Sequence, residues 1–143
     1  MNHDHYEDDY IAGILGSVKT IALVGASPNA ARPSNGVMAF LISRGYRVIP
    51  VNPGLAGKEI HGQPVYASLA DIPEPVDMVD VFRAREYLAP VVDEALSLQP
   101  RPSVVWAQLD IRDDAAAAKA EAGGMKVVMD RCPAIEIPRL ANA

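Results

Sequence analysis

The chain has 143 residues, of which 50% are hydrophobic and 22% charged, as expected for one globular domain with a single sizeable core. Its formal net charge of −5 provides no broad basic surface for nucleic acid, and no apolar run approaches the roughly 20 residues needed to cross a bilayer. A single cysteine, Cys132, excludes an internal disulfide, and the acidic residues 1–9 do not resemble a secretory signal. We therefore expect a cytoplasmic protein that binds neither nucleic acid nor membranes.

The chain begins with a segment that is predicted to be accessory. Residues 10–15 have the apolar spacing of a short amphipathic helix, and His3 and His5 fall in the tail before it. Two histidines in a mobile tail without further ligands make a poor metal site, so no metal is predicted. We divide the chain into an N-terminal tail and helix, residues 1–16, and one domain, residues 17–143.

Short apolar strands then alternate with helical segments. Strands are predicted over residues 21–24, 47–51, 78–82, 104–106 and 126–129, with a short edge strand at 64–66. Helices are predicted from Ser34 or Asn35 to Gly45, over 87–96, and from Asp113 to Gly123. This alternation implies parallel strands joined by right-handed crossovers. The sequence therefore predicts an α/β fold, Rossmann-like and doubly wound, with a mainly parallel sheet of five or six strands in a three-layer sandwich.

In doubly wound folds, ligands bind beyond the carboxyl ends of the strands. Gly25-Ala26-Ser27 follows the first strand, where a glycine lets the chain turn so that the next helix N-terminus faces a phosphate. Just before that helix, Arg32 offers a guanidinium and Ser34 a hydroxyl. The alternatives are a glycine needed for turn geometry alone, a solvated arginine, and a serine that only caps the helix.

The end of the second strand argues against an NAD site. Such a site typically has an Asp or Glu there for the ribose hydroxyls, whereas this chain has Asn52-Pro53. The full GxGxxG fingerprint is also absent after the first strand. An NAD(P)-linked oxidoreductase, in which Arg32 would meet a 2′-phosphate, is therefore an alternative that lacks an acid after strand two and a proton donor.

Two further strand ends add an aromatic wall, a cation and an amide to the predicted crevice. Phe82 and Arg83 end one strand, and Trp106 and Gln108 lie at the end of the next. Each residue also has an ordinary interpretation, because Trp106 is apolar enough for the core and Arg83 could pair with Glu86. Their joint position at one edge of the sheet favours a ligand site.

Taken in chain order, these segments resemble a known family. The set comprises Gly25-Ala26-Ser27, Arg32-Pro33-Ser34, Val51-Asn52-Pro53, Val81-Phe82-Arg83, Trp106-Ala107-Gln108 and Met129-Asp130-Arg131-Cys132-Pro133. It is similar to the small stand-alone coenzyme A (CoA)-binding proteins of bacteria, the YccU-like or CoA-binding-2 family, over about Ser17 to Ile137. That family is related to the CoA-binding domain of the succinyl-CoA synthetase α subunit and shares its Rossmann-like sheet.

The resemblance implies a site for CoA or an acyl-CoA. The implied ligand residues hold phosphates (Gly25 and Arg32), border the adenosine (Asn52 and Pro53) and line the pantetheine path (Phe82, Arg83 and Gln108). The related ligases act through a phosphorylated histidine, and no histidine of this chain lies in a comparable segment. We therefore expect a non-catalytic sensor, carrier or accessory module that binds CoA and could present it to another protein. The detached CoA-binding portion of an acyl-CoA ligase is a further alternative.

No catalytic residue is predicted. Ser27 has no histidine placed to act as its base. Cys132 follows the last strand beside Arg131, and a nearby cation favours the thiolate, so a mixed disulfide with CoA is one interpretation. The other, which base rates favour, is a cysteine packed as a small hydrophobic residue.

Overall fold

The computed structural model describes residues 1–141. Its strands are β1 (Thr20–Val24), β2 (Arg47–Val51), β3 (Glu59–Ile60), β4 (Gln63–Pro64), β5 (Met78–Val81), β6 (Val104–Ala107) and β7 (Lys126–Val128). Its α-helices are α1 (Asp8–Ser17), α2 (Pro33–Ser43), α3 (Leu88–Ser97), α4 (Asp114–Ala122) and α5 (Pro133–Ala141). None of these helices has the length and apolar character needed to span a membrane.

Five strands form one parallel sheet in the order β2-β1-β5-β6-β7. After β2 the chain crosses β1 and continues on its other side, so the strand order reverses between β1 and β5. The predicted Rossmann-like, doubly wound α/β fold is confirmed. The edge strand predicted at 64–66 is reduced to a single parallel bridge between Val51 and Tyr66, while β3 and β4 pair separately as an antiparallel hairpin.

Helices cover both faces of the sheet and create two apolar layers. Leu23 and Met38 belong to the layer beneath α1, α2 and α5, whereas Val24 and Val92 belong to the layer beneath α3 and α4. Every residue of β5 and β6 is buried, which explains their unbroken apolar pattern apart from Asp80. Each fully buried aliphatic side chain contributes about 1.5–3 kcal/mol to folding.

The N-terminal segment packs on the domain and is not the mobile tail that the sequence suggested. The Tyr10 hydroxyl donates to Val127 O (2.8 Å) and accepts from Val127 N (3.1 Å), while the Tyr6 hydroxyl accepts from Met129 N. The two hydroxyls form hydrogen bonds with backbone groups along the outer edge of β7. These groups would otherwise be free to pair with another strand. Burial raises the pKa of Tyr10 to about 12. The segment therefore protects an edge strand.

His3 is buried and contacts two polar side chains. Its ring lies 2.6 Å from the Tyr6 hydroxyl and 3.1 Å from Glu121 Oε1. Within residues 1–141, no three or more His, Cys, Asp or Glu side chains lie together as potential metal ligands.

The ends of several helices differ from the sequence prediction. Helix α2 begins one residue before Ser34, with Arg32 at its N-cap, so Ser34 lies in the first turn. Asp113 caps α4 as predicted, with its carboxylate accepting from Ala116 N. Helix α5 was not predicted, because a proline opens it and Pro138 lies inside it, and both interrupt a helical pattern.

Candidate functional site

A cleft of about 710 Å³ opens beyond the carboxyl ends of β1, β5 and β6. This is where the strand order reverses, which is the usual position of a ligand site in a doubly wound sheet. All of the predicted site residues except Pro53 and Trp106 line it. Loops that are far apart in the sequence therefore meet at this cleft, as predicted from the sequence.

The two exceptions have different placements. Pro53 lines an adjoining pocket of about 360 Å³ together with Gly25, Asn52 and Arg83. Trp106 is fully buried inside β6, and its indole N–H donates to Arg131 O at 2.8 Å. Because β6 extends to residue 107, Trp106 lies within the strand and not at its end. The structure therefore places Trp106 in the core, the alternative interpretation that its sequence position left open.

Gly25 allows the chain segments that follow β1 and β5 to lie close together. It has a φ of +90°, and a Cβ atom there would lie 2.7 Å from the Phe82 carbonyl oxygen. Gly25 N–H donates to Val51 O, and Phe82 N–H donates to Val24 O. Both backbone conformation and space therefore require glycine at the floor of the cleft.

Asparagine side chains hold the loop that follows β1. The Asn52 amide donates to Ala26 O (2.9 Å), and its carbonyl oxygen accepts from Gly54 N. The Asn35 amide, from the first turn of α2, donates to Ser27 O (3.0 Å). An aspartate at position 52 could not form this hydrogen bond to Ala26 O, because an ionised carboxylate has no N–H donor.

One end of the cleft carries uncompensated positive charge. Within residues 1–141, the exposed Arg32 side chain forms no ion pair or hydrogen bond, and the first turn of α2 contains no acidic residue. Arg83 stacks on the Tyr87 ring, with its guanidinium carbon 4.1 Å from the ring centroid, and does not pair with Glu86. Two arginines and a helix N-terminus therefore face the same end, an arrangement that suits a phosphate.

The other end of the cleft carries apolar side chains beside one carboxylate. Leu109 and Ile111 line it together with Asp110, and Leu109 is 49% exposed. Gln108 is 6% exposed, and its Oε1 atom has no hydrogen-bond partner among the described residues. Cys132 also lines the cleft, is 7% exposed and belongs to the apolar layer beneath α1, α2 and α5, in agreement with its interpretation as a small hydrophobic residue. The sequence analysis missed Leu109 and Ile111, although both lie within four residues of the end of β6.

A buried carboxyl lies below the cleft in β5. Asp80 is fully buried, and neither of its carboxyl oxygens has a partner within residues 1–141. It pairs in register with Leu23 and Trp106 and precedes Phe82 by two residues. Desolvation raises the pKa of Asp80 well above its usual range.

We expect the Asp80→Asn variant to gain stability relative to the wild type as the pH rises. Because the pKa of Asp80 is raised in the folded state, its stabilising contribution is complete below the unfolded value of about 3.9 and is lost as the pH rises through the folded value. Asparagine has no such titration. The difference in the free energy of unfolding between the two proteins, from urea titrations at about pH 4 to about pH 8, should therefore grow with pH.

Glu86→Gln, at an exposed carboxylate, is the matched control for this series and should show no comparable trend. A difference between Asp80→Asn and wild type that stays constant with pH would contradict the raised pKa.

The chain is similar to known proteins over most of its length. The sequence profile of the CoA binding domain family matches residues 19–138. The chain is 37% identical over 122 residues to the uncharacterized protein YneT of Bacillus subtilis (strain 168), which covers 85% of this chain and 87% of YneT.

Solved structures share the fold over nearly the full chain. A protein from Thermus thermophilus is 40% identical, covers 94% of this chain and 99% of its own, and has a TM-score of 0.88. A dinucleotide-forming acetyl-coenzyme A synthetase of Ca. Korarchaeum cryptofilum, at 22% identity and a TM-score of 0.63, shares the fold over 76% of this chain and 25% of its own. With the match over residues 19–138 and the relatives above, the chain belongs to the CoA binding domain family.

Proposed function

We propose that the cleft binds coenzyme A or an acyl-CoA, with the phosphates near Arg32 and the pantetheine arm running toward Gln108. The observation that carries this proposal is one continuous cleft with an uncompensated cationic end and an opposite end where the apolar side chains of Leu109 and Ile111 flank Asp110. CoA has the same polarity along its length, with phosphates at one end and a thiol-terminated arm at the other. The family of the chain supports this ligand.

The cationic end suits the phosphates because its charges have no carboxylate partner. Arg32 and Arg83 form no ion pair within residues 1–141, so a phosphate would not have to break one to bind. We therefore assign Arg83 to the phosphates and not to the pantetheine path that the family resemblance implied for it. Charge-assisted hydrogen bonds from guanidinium groups are among the strongest that proteins make. The N-terminus of α2 adds further positive potential.

The remaining lining suits the rest of the molecule. The pocket at Asn52 and Pro53 adjoins the cleft and would take the adenosine. Gln108 Oε1 needs a donor, and the amide N–H groups of a pantetheine arm supply one. From the end of β2 to the end of β6 is three strand spacings, or about 14 Å, which gives an extended ligand room to lie across the sheet.

We take the protein to be a non-catalytic CoA sensor, carrier or accessory module of the cytoplasm, where a free cysteine is usual. Ser27 Oγ accepts from Asn29 N–H, and the His61 ring contacts Asn35 and not Ser27. His61 is therefore not placed to act as a base that activates Ser27 as a nucleophile. An NAD site would have an Asp or Glu at the end of β2, where this chain has Asn52, so the NAD(P) alternative is less favoured.

The test is calorimetric titration with CoA, dephospho-CoA, acetyl-CoA and NAD. We expect saturable CoA binding that Arg32→Ala weakens about ten- to a hundredfold, the usual loss when a hydrogen bond between charged groups is removed. NAD should bind more weakly than CoA. Comparison with dephospho-CoA then shows whether the 3′-phosphate is held.

Arg44→Ala is the matched control, since this exposed arginine follows the far end of the same helix and lies over Phe40. It should retain wild-type affinity. No binding of CoA, or equal losses in both arginine variants, would contradict the proposed site.

A further inference from the structure

We propose that Cys132 forms a reversible mixed disulfide with the thiol of CoA held in the cleft. This inference rests on the proposed function and goes beyond it, because it assigns a covalent site. Cys132 is the only cysteine in the chain, so its thiol has no internal disulfide partner.

The position of Cys132 matches the thiol end of the ligand. It lines the same cleft as Arg32, but follows β7 at the opposite side of the sheet. From β1 to β7 is three strand spacings, or about 14 Å. A ligand whose phosphates lie at the end of β1 can therefore extend its arm across the ends of β5 and β6 toward the segment after β7, which carries Cys132.

Cys132 also occupies the N-cap position of α5. Its carbonyl oxygen accepts from Ile135 N and Glu136 N, each at 3.0 Å, which is the first hydrogen-bonded turn of this nine-residue helix. Glu136 lies in that turn, but its carboxylate is paired with Arg139 at 2.9 Å and lies 4.0 Å from Arg131. The one acidic residue in the first turn of α5 therefore has a cationic partner, so its charge does not oppose an anionic ligand that approaches Cys132.

Gln108 is an independent sign that a ligand reaches this end of the cleft. Its Oε1 atom is buried and has no hydrogen-bond partner among residues 1–141, although the side chain lines the cleft together with Cys132. An unsatisfied buried amide oxygen costs free energy until a donor arrives. An amide N–H of the pantetheine arm meets this need and positions the arm ahead of its thiol.

The reaction is thiol–disulfide exchange with CoA disulfide as the co-reactant. The Cys132 thiolate attacks one sulfur of CoA disulfide, a Cys132 Sγ–S bond forms, and the S–S bond between the two CoA molecules breaks. The second CoA leaves as a thiolate and takes up the proton that Cys132 released. One disulfide is consumed and one is formed, so no further oxidant is needed, and a reducing thiol reverses the step.

The burial of Cys132 gives this reaction its selectivity. With only 7% of the residue exposed, a disulfide must enter the cleft to reach the sulfur. CoA disulfide is brought there by its nucleotide end, whereas glutathione disulfide has no nucleotide to bind.

The experiment follows the intact mass of the protein under non-reducing conditions after addition of CoA disulfide. We expect one CoA adduct per chain that a reducing thiol removes, and no adduct on Cys132→Ser or Cys132→Ala. Arg32→Ala should slow adduct formation at subsaturating CoA disulfide by about the factor by which it weakens CoA binding, ten- to a hundredfold. Glutathione disulfide should react at least about tenfold more slowly.

Calorimetry on the same samples separates this inference from the proposed function. Arg44→Ala, which lies outside the cleft, should bind CoA and form the adduct as the wild type does. Wild-type protein that binds CoA but forms no adduct would overturn the mixed disulfide alone. Equal reaction rates with CoA disulfide and glutathione disulfide would contradict the claim that binding of the nucleotide end makes the reaction selective. A protein that binds no CoA would overturn the proposed function itself.

Discussion

Replacement of Trp106 by alanine is expected to lower the free energy of unfolding by about 3–5 kcal/mol, the usual cost of a large cavity in a core. Trp106 is fully buried in the central part of the sheet, in the layer beneath α2 and α5. The substitution also removes the indole donor to Arg131 O, leaving that carbonyl without its 2.8 Å bond. Urea titration followed by circular dichroism measures the change.

Trp106→Phe is the matched control, because it keeps most of the buried ring and loses the donor. It should cost less than the alanine variant, about 1–3 kcal/mol. A loss below about 1 kcal/mol for Trp106→Ala, together with weakened CoA binding, would indicate instead that the side chain belongs to the cleft.

Replacement of Gly25 by alanine is expected to destabilise the protein and to weaken CoA binding together. A non-glycine residue at a φ of +90° costs about 1–3 kcal/mol from backbone strain alone. The added Cβ atom would also lie 2.7 Å from the Phe82 carbonyl oxygen, so the ends of β1 and β5 would have to move apart. That movement displaces Arg83 at the cationic end of the cleft. Urea titration and calorimetry with CoA measure the two effects.

Gly36→Ala separates this effect from the general consequence of replacing a glycine. Gly36 lies in α2, and a Cβ atom there meets nothing within 4 Å. Alanine is the better helix former, so this variant should be more stable than the wild type by up to about 1 kcal/mol. A Gly25→Ala protein with unchanged stability and affinity would contradict the close approach at Phe82.

The arginines at the cationic end of the cleft show what the sequence alone does not reveal about a charged residue, namely whether it has an ion-pair partner. The sequence placed Arg32 just before the first helix and Arg83 at a strand end, but whether an arginine is solvated, paired or available depends on what folds beside it. Arg47 pairs with Glu74, and Arg139 with Asp8, across long stretches of chain. No local pattern distinguishes these arginines from the two that lack a carboxylate partner.

Cys132 illustrates the same limit for a nucleophile. Its sequence position beside Arg131 was compatible with a reactive thiol or with a small core residue. Whether its sulfur meets the cleft depends on α5, a helix that the prolines hid from the sequence pattern. The loop after β6 is similar, since Leu109 and Ile111 line the cleft only because of the way that loop returns to α4.

By itself, the sequence determined the α/β class, the five central strands and the set of loops that meet at the cleft. This was possible because strands buried on both faces are unbroken apolar runs, and because the carboxyl ends of parallel strands share one edge of a sheet. Only the tertiary structure decided that Trp106 packs in the core, that the N-terminal segment covers β7 and that Asp80 and Gln108 lack partners. These properties depend on contacts between distant residues, such as Tyr10 with Val127, 117 positions away, which no local pattern encodes.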